Sequence, residues 1–297
     1  MTSTTFDEYQ ERIAAGERLD PDVIRSLAAA PDILPLGMLA DAQRRKAHGT
    51  RATYLRVADC GFDASFADTV PAPAREVRIT GAPPSLEVAL SAVQAARAVA
   101  GNRVVSGYAW KTVEQLSEAS GTRRGEVLRK LRGAGLDAIA ELPLDGMENV
   151  DEDIEQLQKA GFDRLRLTID KLPAAGRTDL LLRVSDLQRR FRCIAAINPL
   201  PLSLNAFRPT TGYEDVKMVA VARLAAPDVP HVQVDWRRYG PKLAQVALTF
   251  GADDIDGVAA SDASPEGRRR APLEEIRRNI QAAGFEPAER DGHFGAV

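Results

Sequence analysis

Between His231 and Val258 the chain reads HVQVDWRRYGPKLAQVALTFGADDIDGV, and this stretch limits the possible folds more sharply than any other. His231-Val232-Gln233-Val234-Asp235 alternates polar and apolar residues, as a strand with two different faces does, and Trp236-Arg237-Arg238-Tyr239 follows as a polar loop. Gly240-Pro241 then opens a helix, because proline at the first helical position forfeits no hydrogen bond. Leu243, Val246, Ala247 and Phe250 share one face of that helix, and Gly251 ends it. Ala252 to Val258 is too short for another helix and reads as a second strand, closed by a turn at Gly257. A strand, helix, strand unit demands parallel strands and a right-handed crossover, with polar side chains collecting where the strands end. The expectation is that Asp235, Arg237, Arg238, Asp253, Asp254 and Asp256 gather at one rim.

The same alternation runs through most of the chain. Strands are expected at Ala52–Val57, Glu76–Thr80, Arg103–Gly107, Ala138–Leu142, Arg164–Ile169, Arg192–Ile197, His231–Asp235 and Asp254–Val258. Helices are expected at Leu86–Ala100, Glu126–Gly133, Glu152–Ala160, Asp179–Arg190, Tyr213–Ala225, Pro241–Phe250 and Pro272–Ala283. Eight strands in this order favour a closed (β/α)8 barrel of TIM type over an open doubly wound sheet, which has the same local pattern. Residues 1–50 form a helical lead-in, with Phe6, Tyr9 and Ile13 on one face, and 51–297 form the barrel with its C-terminal helix.

With 39 Lys and Arg against 42 Asp and Glu, the net charge of −3 offers no electrostatic case for nucleic acid or an acidic membrane as partner. The one basic run, Arg268-Arg269-Arg270, reads as a solvated turn. There is no apolar run long enough for a membrane span, and the polar start of the chain lacks a signal-like core, so a cytoplasmic location is expected. Cys60 and Cys193 with His48, His231 and His293 give no spacing typical of a closed zinc site, so no metal is expected, and two reduced thiols are favoured over a disulfide.

Three segments carry a family resemblance: RPTTGYEDVKMVAVARL (Arg208 to Leu224), PHVQVDWRRYGPKLAQVALTFGADDIDG (Pro230 to Gly257) and LEEIRRNIQAAGFEPAERD (Leu273 to Asp291). They resemble the C-terminal half of aminofutalosine synthase and of its relative dehypoxanthine futalosine cyclase, radical S-adenosylmethionine enzymes of menaquinone biosynthesis. The likeness continues through Ala109 to Asp137 and, more faintly, Leu36 to Leu55. It implies a radical-SAM-type barrel and a Cys-x3-Cys-x2-Cys motif after the first strand, because three thiolates hold a [4Fe–4S] cluster while the fourth iron stays open for the cofactor. Here RVADCGFDASF sets Arg56, Cys60 and Asp63 at those places, and an arginine cannot ligate iron. No [4Fe–4S] cluster and no other cofactor are expected, although S-adenosylmethionine itself remains a possible ligand. Two glycine-rich family segments also differ, reading Thr80-Gly81-Ala82-Pro83-Pro84 and Ala140-Glu141-Leu142-Pro143-Leu144-Asp145, and the histidine-bearing loop after the last strand is replaced by the shorter Ala259 to Arg270.

Against that background the rim residues divide by chemistry. Asp235, Arg237 and Arg238 suit a carboxylate or a ribose, with ion pairing among themselves an equal reading. Glu141, Asp145 and Asp170, with Asn198, end three successive strands; the carboxylates are acid–base candidates, and Asn198 joins the ligand-binding set. Tyr108, Trp110 and Trp236 offer rings for a purine or benzoate, with Tyr108 placed in the binding set and core packing the commoner role for each. Asp253, Asp254 and Asp256 are favoured as packing groups, since alternation turns Asp253 away from the other two. Cys60, with no neighbouring histidine to activate it, reads as a relic thiol. The expected role is a cluster-free pseudoenzyme, substrate-binding or partner subunit of the futalosine pathway, working with a genuine radical enzyme or as a homo-oligomer. The alternative is a redox-neutral lyase, hydrolase or transferase acting on a related small molecule.

Overall fold

The computed structural model describes residues 3–203, 211–261 and 272–297. Arg208 and the run Arg268-Arg269-Arg270 fall outside the described residues, as does most of the loop after the eighth strand.

Three helices come first: α1 (Ser3–Ala15), α2 (Pro21–Ala29) and α3 (Leu34–His48). The barrel follows as β1 (Arg51–Gly61), a short α4 (Phe66–Thr69), β2 (Glu76–Thr80), α5 (Leu86–Ala100), β3 (Val104–Ala109), α6 (Trp110–Ser120), α7 (Arg124–Ala134), β4 (Ala138–Pro143), α8 (Val150–Lys159) and β5 (Leu165–Ile169). It is completed by α9 (Ala174–Phe191), β6 (Ile194–Pro201), α10 (Gly212–Ala225), β7 (His231–Asp235), α11 (Trp236–Thr249), β8 (Asp254–Ala259), α12 (Pro272–Ala282) and β9 (Glu286–Glu289). Strands β1 to β8 pair in sequence order, all parallel, and β1 pairs with both β2 and β8, so the sheet closes. The eight expected strands are all present, and the (β/α)8 barrel is the fold.

β9 was not foreseen. β1 is long enough to pair twice on one edge: Val57 to Gly61 face Glu76 to Thr80 of β2, and Arg51 to Tyr54 face Glu286 to Glu289 of β9. The chain then turns beneath the barrel and plugs its N-terminal end. Gly292 is wedged there, where an added Cβ would stand 2.5 Å from that of Val104, and its carbonyl accepts from Arg166 Nη2 at 2.7 Å.

Two local readings need correction. The stretch between β3 and α7 holds a further helix, α6, whose Trp110, Val113 and Leu116 are buried at a spacing of three and which ends at Gly121 in the left-handed region. Trp236 to Tyr239 is a helical turn rather than a loop: Asp235 Oδ1 caps it, accepting from the backbone N–H of Arg237 at 2.8 Å and of Arg238 at 3.0 Å. Gly240, at φ 76°, then breaks the helix before Pro241 restarts it.

The apolar core lies between sheet and helices, around Tyr54, Val77, Ile79, Ile139, Leu167, Val232 and Ile255. The barrel interior is largely polar. Arg166 on β5 reaches Glu76 on β2, and those strands are not neighbours, so the bond crosses the lumen.

Candidate functional site

The lumen is filled by charged layers. At the base, Arg290 donates to both carboxylate oxygens of Asp254 (2.5 and 2.7 Å), which also accept from Thr53 and Gln233. Above it, fully buried Glu76 accepts from Arg166 (2.7 and 3.0 Å), Ser106 (2.6 Å) and Arg78 (2.8 Å). Burial alone would raise the Glu76 pKa, but the arginine charges and hydrogen bonds hold it well below the usual carboxylate range. Arg78 then reaches Asp256 at 3.0 Å, across the lumen from β2 to β8. Burial works against the Asp256 carboxylate too, and Arg78 overcomes it and lowers the pKa.

The mouth lies one layer higher. Arg237 donates to Asp59 of β1, and Arg238 donates to Glu141 of β4 at 3.4 Å, with its other amino group 3.9 Å from Asp235. The two arginines that follow β7 thus bridge past neighbouring strands, one to β1 beyond β8 and the other to β4 on the far side of β5 and β6. They are open to solvent, with Arg237 58% and Glu141 39% exposed, whereas Asp59 is 18% exposed. Burial raises the Asp59 pKa against the opposing pull of Arg78 and Arg237. Below this rim the hydroxyl of Thr168, 6% exposed, has no partner among the described residues.

Asp235, Arg237, Arg238 and Glu141 therefore come together at the mouth. Asp253 and Asp254 do not join them: only Asp256 pairs in register with Asp235, and the other two sit toward the opposite end of β8, Asp253 bound to Arg223 outside the barrel. Asp145 is consumed by structure, since its carboxylate accepts from the backbone N–H groups of Asp170 (2.6 Å), Lys171 (2.9 Å) and Leu172 (2.8 Å) and so ties the β4–α8 and β5–α9 loops together. Asp170 itself accepts from Ser203, and Asn198, 7% exposed, turns its carbonyl oxygen to the backbone N–H of Leu200 at 3.1 Å. Tyr108 leaves the binding set. Its positive φ of 61° carries the ring out of the lumen, the hydroxyl donates to the Ala89 carbonyl on α5, and burial pushes the phenol pKa far up. Trp110 and Trp236 are buried in the same helix-side core.

The three positions matched to cluster cysteines do not converge. Along β1 alternation turns Thr53, Leu55, Val57 and Asp59 to the lumen, where Thr53 donates to Asp254 of β8 and Asp59 accepts from Arg237 of α11. Alternation turns Arg56 and Cys60 the other way. Arg56 donates to Glu289 on β9 at 2.9 Å, Cys60 is packed in the helix-side core at 1% exposure, and Asp63 is exposed. Burial raises the Cys60 thiol pKa. One thiol packed on the helix side, one paired arginine and one solvated carboxylate are not a donor set for a site-differentiated cluster. Asp59, Glu76 and Arg78 were missed, although polar residues at alternate positions of strands that are otherwise apolar are the available signal.

A closed parallel barrel defines the class, and solved structures share that fold. The [FeFe]-hydrogenase maturase HydG superimposes with a TM-score of 0.68, covering 97% of this chain and 76% of that one at 15% identity. Methylornithine synthase PylB gives 0.64, covering 94% and 97% at 13% identity. The shared fold is the (β/α)8 barrel.

Sequence narrows the class further. Residues 203–296 match the CofH/MqnC C-terminal region family. The chain is 28% identical over 239 residues to a 5-amino-6-(D-ribitylamino)uracil–L-tyrosine 4-hydroxyphenyl transferase of Archaeoglobus fulgidus, covering 69% of this chain and 68% of that one. It is 35% identical over 108 residues to an aminodeoxyfutalosine synthase of Thermus thermophilus, which spans 28% of that protein, and 26% identical over 212 residues to a cyclic dehypoxanthine futalosine synthase of Streptomyces coelicolor, spanning 53%. The chain is a relative of the radical S-adenosylmethionine enzymes of the futalosine and CofH type. No helix among the described residues is long and apolar enough to cross a membrane.

Proposed function

We propose that this chain works without an iron–sulfur cluster, as a pseudoenzyme of the futalosine-type family that binds a small polar ligand at its barrel mouth, alone or as the partner of a genuine radical enzyme. One observation carries the reading: Cys60, the one thiol left among the three matched positions, is packed away from the lumen, while the mouth offers Arg237 and Arg238 in pairs that an anionic or ribose-bearing ligand can replace. Ligands of the family's own chemistry fit such a rim: aminofutalosine-type nucleosides, enolpyruvyl benzoates and S-adenosylmethionine.

The test is a thermal-shift titration with each of these, followed by iron and sulfide analysis after anaerobic reconstitution. Binding of any one without uptake of iron supports the proposal, since ligand at 100 times its Kd stabilises the fold by about 2.7 kcal/mol. Stoichiometric iron and sulfide with reductive cleavage of S-adenosylmethionine refutes it.

A second reading is supported by Asp59, whose pKa is raised by burial while Glu141 across the mouth is solvated. Two carboxylates in unlike surroundings suit a redox-neutral lyase, hydrolase or transferase. Turnover of a futalosine-type or chorismate-derived substrate by the isolated protein, lost in Asp59→Asn, favours this over the non-catalytic role.

A further inference from the structure

We propose that the base of the barrel, at the end opposite the mouth, carries a binding site for one divalent transition-metal ion, Zn²⁺ being the best fit, with His48, His231 and Asp253 as ligands. The three come from separate places in the chain: His48 ends α3, His231 begins β7, and Asp253 directly precedes β8. One ligand atom from each lies within 4.8 Å of the others. Asp253 Oδ2 is 2.6 Å from His231 Nδ1 and 3.5 Å from His48 Nε2. A tetrahedral zinc with bonds of about 2.0 to 2.2 Å spaces its ligands by roughly 3.3 Å, so small rotations of the two imidazoles suffice.

The carboxylate is already aimed. Its other oxygen, Oδ1, accepts from Arg223 and from the backbone N–H of Val232 at 2.8 Å, which turns Oδ2 toward both rings. Arg223 is fixed in turn by the carbonyls of Gly251 (2.8 Å) and Pro230 (3.3 Å). Outer hydrogen bonds of this kind hold metal ligands in place. The His231 ring stacks on Phe294 with centroids 4.5 Å apart. Nε2 of His48 now lies 2.9 Å from the Pro230 carbonyl, a contact the metal would replace. The histidine side chains are 20% and 16% exposed, and a cleft of about 300 Å³ lined by His231, His293 and Phe294 adjoins them, so an ion has a route in and water can take a fourth position.

The same surroundings set selectivity. Arg223 already neutralises the single carboxylate, so a hard cation that depends on several oxygen ligands gains little here, while the two nitrogens favour zinc, cobalt or nickel over magnesium or calcium.

The decisive experiment uses the full, untagged chain, treated with chelator and then titrated with Co²⁺ by visible absorption and calorimetry. One equivalent should bind with tetrahedral ligand-field bands, be displaced by Zn²⁺, and be unaffected by a hundredfold excess of Mg²⁺ or Ca²⁺. His48→Gln and His231→Gln should each weaken binding at least about tenfold, and His293→Gln should not. Melting of each variant in chelator checks its fold. If His231→Gln unfolds, His48→Gln decides, because His48 is a partly exposed side chain whose one hydrogen bond among the described residues is to the Pro230 carbonyl. No stoichiometric Co²⁺ binding, or binding that both variants leave unchanged, overturns the proposal. The mouth plays no part in this test.

Discussion

Replacing Glu76 by alanine should be among the most damaging single changes that leave the apolar core untouched. The carboxylate is completely buried and accepts from Arg166, Arg78 and Ser106 at once. Without it Arg78 keeps Asp256 and Arg166 keeps the Gly292 carbonyl, but Arg166 loses its only carboxylate partner among the described residues while staying 4% exposed. Breaking a buried pair from one side costs about 3 to 5 kcal/mol, most of it the penalty of the stranded charge. Glu76→Gln keeps acceptor and shape but not the charge, and should cost less. The pH dependence gives a second check. The folded-state pKa of Glu76 lies well below its ordinary value of 4.5, so its stabilisation is fully present above that value and is lost as pH falls below it. Urea unfolding of wild type and Glu76→Gln at pH 7 should differ most, and the gap should narrow below about pH 4.5, by up to about 1.4 kcal/mol per unit for this one group. A loss under about 1 kcal/mol for Glu76→Ala, or a gap independent of pH, would refute the account of the lumen as a charged, mutually satisfied column.

Other substitutions test the assignments residue by residue. Arg238→Ala should cost no more than about 1 kcal/mol in urea unfolding, because the pair with Glu141 is partly solvated, yet it should weaken any ligand that the wild-type mouth binds; an unchanged Kd would remove Arg238 from the site. Tyr108→Phe should lower stability by about 0.5 to 1.5 kcal/mol through its lost bond to Ala89 and leave ligand affinity unchanged, and a weaker ligand would restore Tyr108 to the binding set. A thiol reagent at pH 8 should label the native protein slowly and both cysteines promptly on unfolding, since Cys60 and Cys193 are 1% and 3% exposed and burial pushes the Cys193 thiol up to about 11. Rapid native labelling of Cys60 would place that thiol at the surface.

The barrel was legible because its elements are encoded locally: β2 and β7 were read to the residue, and α5 from Leu86 to Ala100 was too. What escaped depended on pairing at a distance. β9 has a weak pattern and exists because β1 outruns β2 and leaves Arg51 to Tyr54 an open edge. The turn at Trp236 escaped because Gly240-Pro241 is the stronger start signal, while the cap that makes the turn helical is the side chain of Asp235. For the site, Asp235, Arg237, Arg238 and Glu141 were legible as strand ends. Asp145 and Tyr108 stand at strand ends equally well, and only the backbone N–H groups around one and the positive φ of the other divert them. The grouping of His48 with His231 and Asp253 spans 206 residues of sequence, from 48 to 253, and no spacing rule reaches it.

The lumen itself sets how deep a ligand can reach. Its pairs grade from buried to exposed: Arg290 with Asp254 at 1% and 0%, Arg166 with Glu76 at 5% and 0%, Arg78 with Asp256 at 14% and 16%, then Arg238 with Glu141 at 28% and 39%. Opening a buried pair strands charges at a cost of several kcal/mol, whereas an exposed pair yields with little loss. A ligand bound at the proposed site would therefore displace Glu141 from Arg238 and Asp59 from Arg237 before it disturbed Arg78, and would settle as a shallow guest on the rim. Freed in this way, Asp59 loses the arginine that helps keep it ionised, and its pKa, already raised by burial, moves higher still. Binding at the mouth should accordingly take up protons, most of all at pH values between the free and the ligand-bound pKa of Asp59, on the alkaline side of its free titration. Calorimetry in buffers of different ionisation enthalpy would show that uptake, and its absence in a protein that binds ligand through Arg237 would mean the Asp59 pair stays closed.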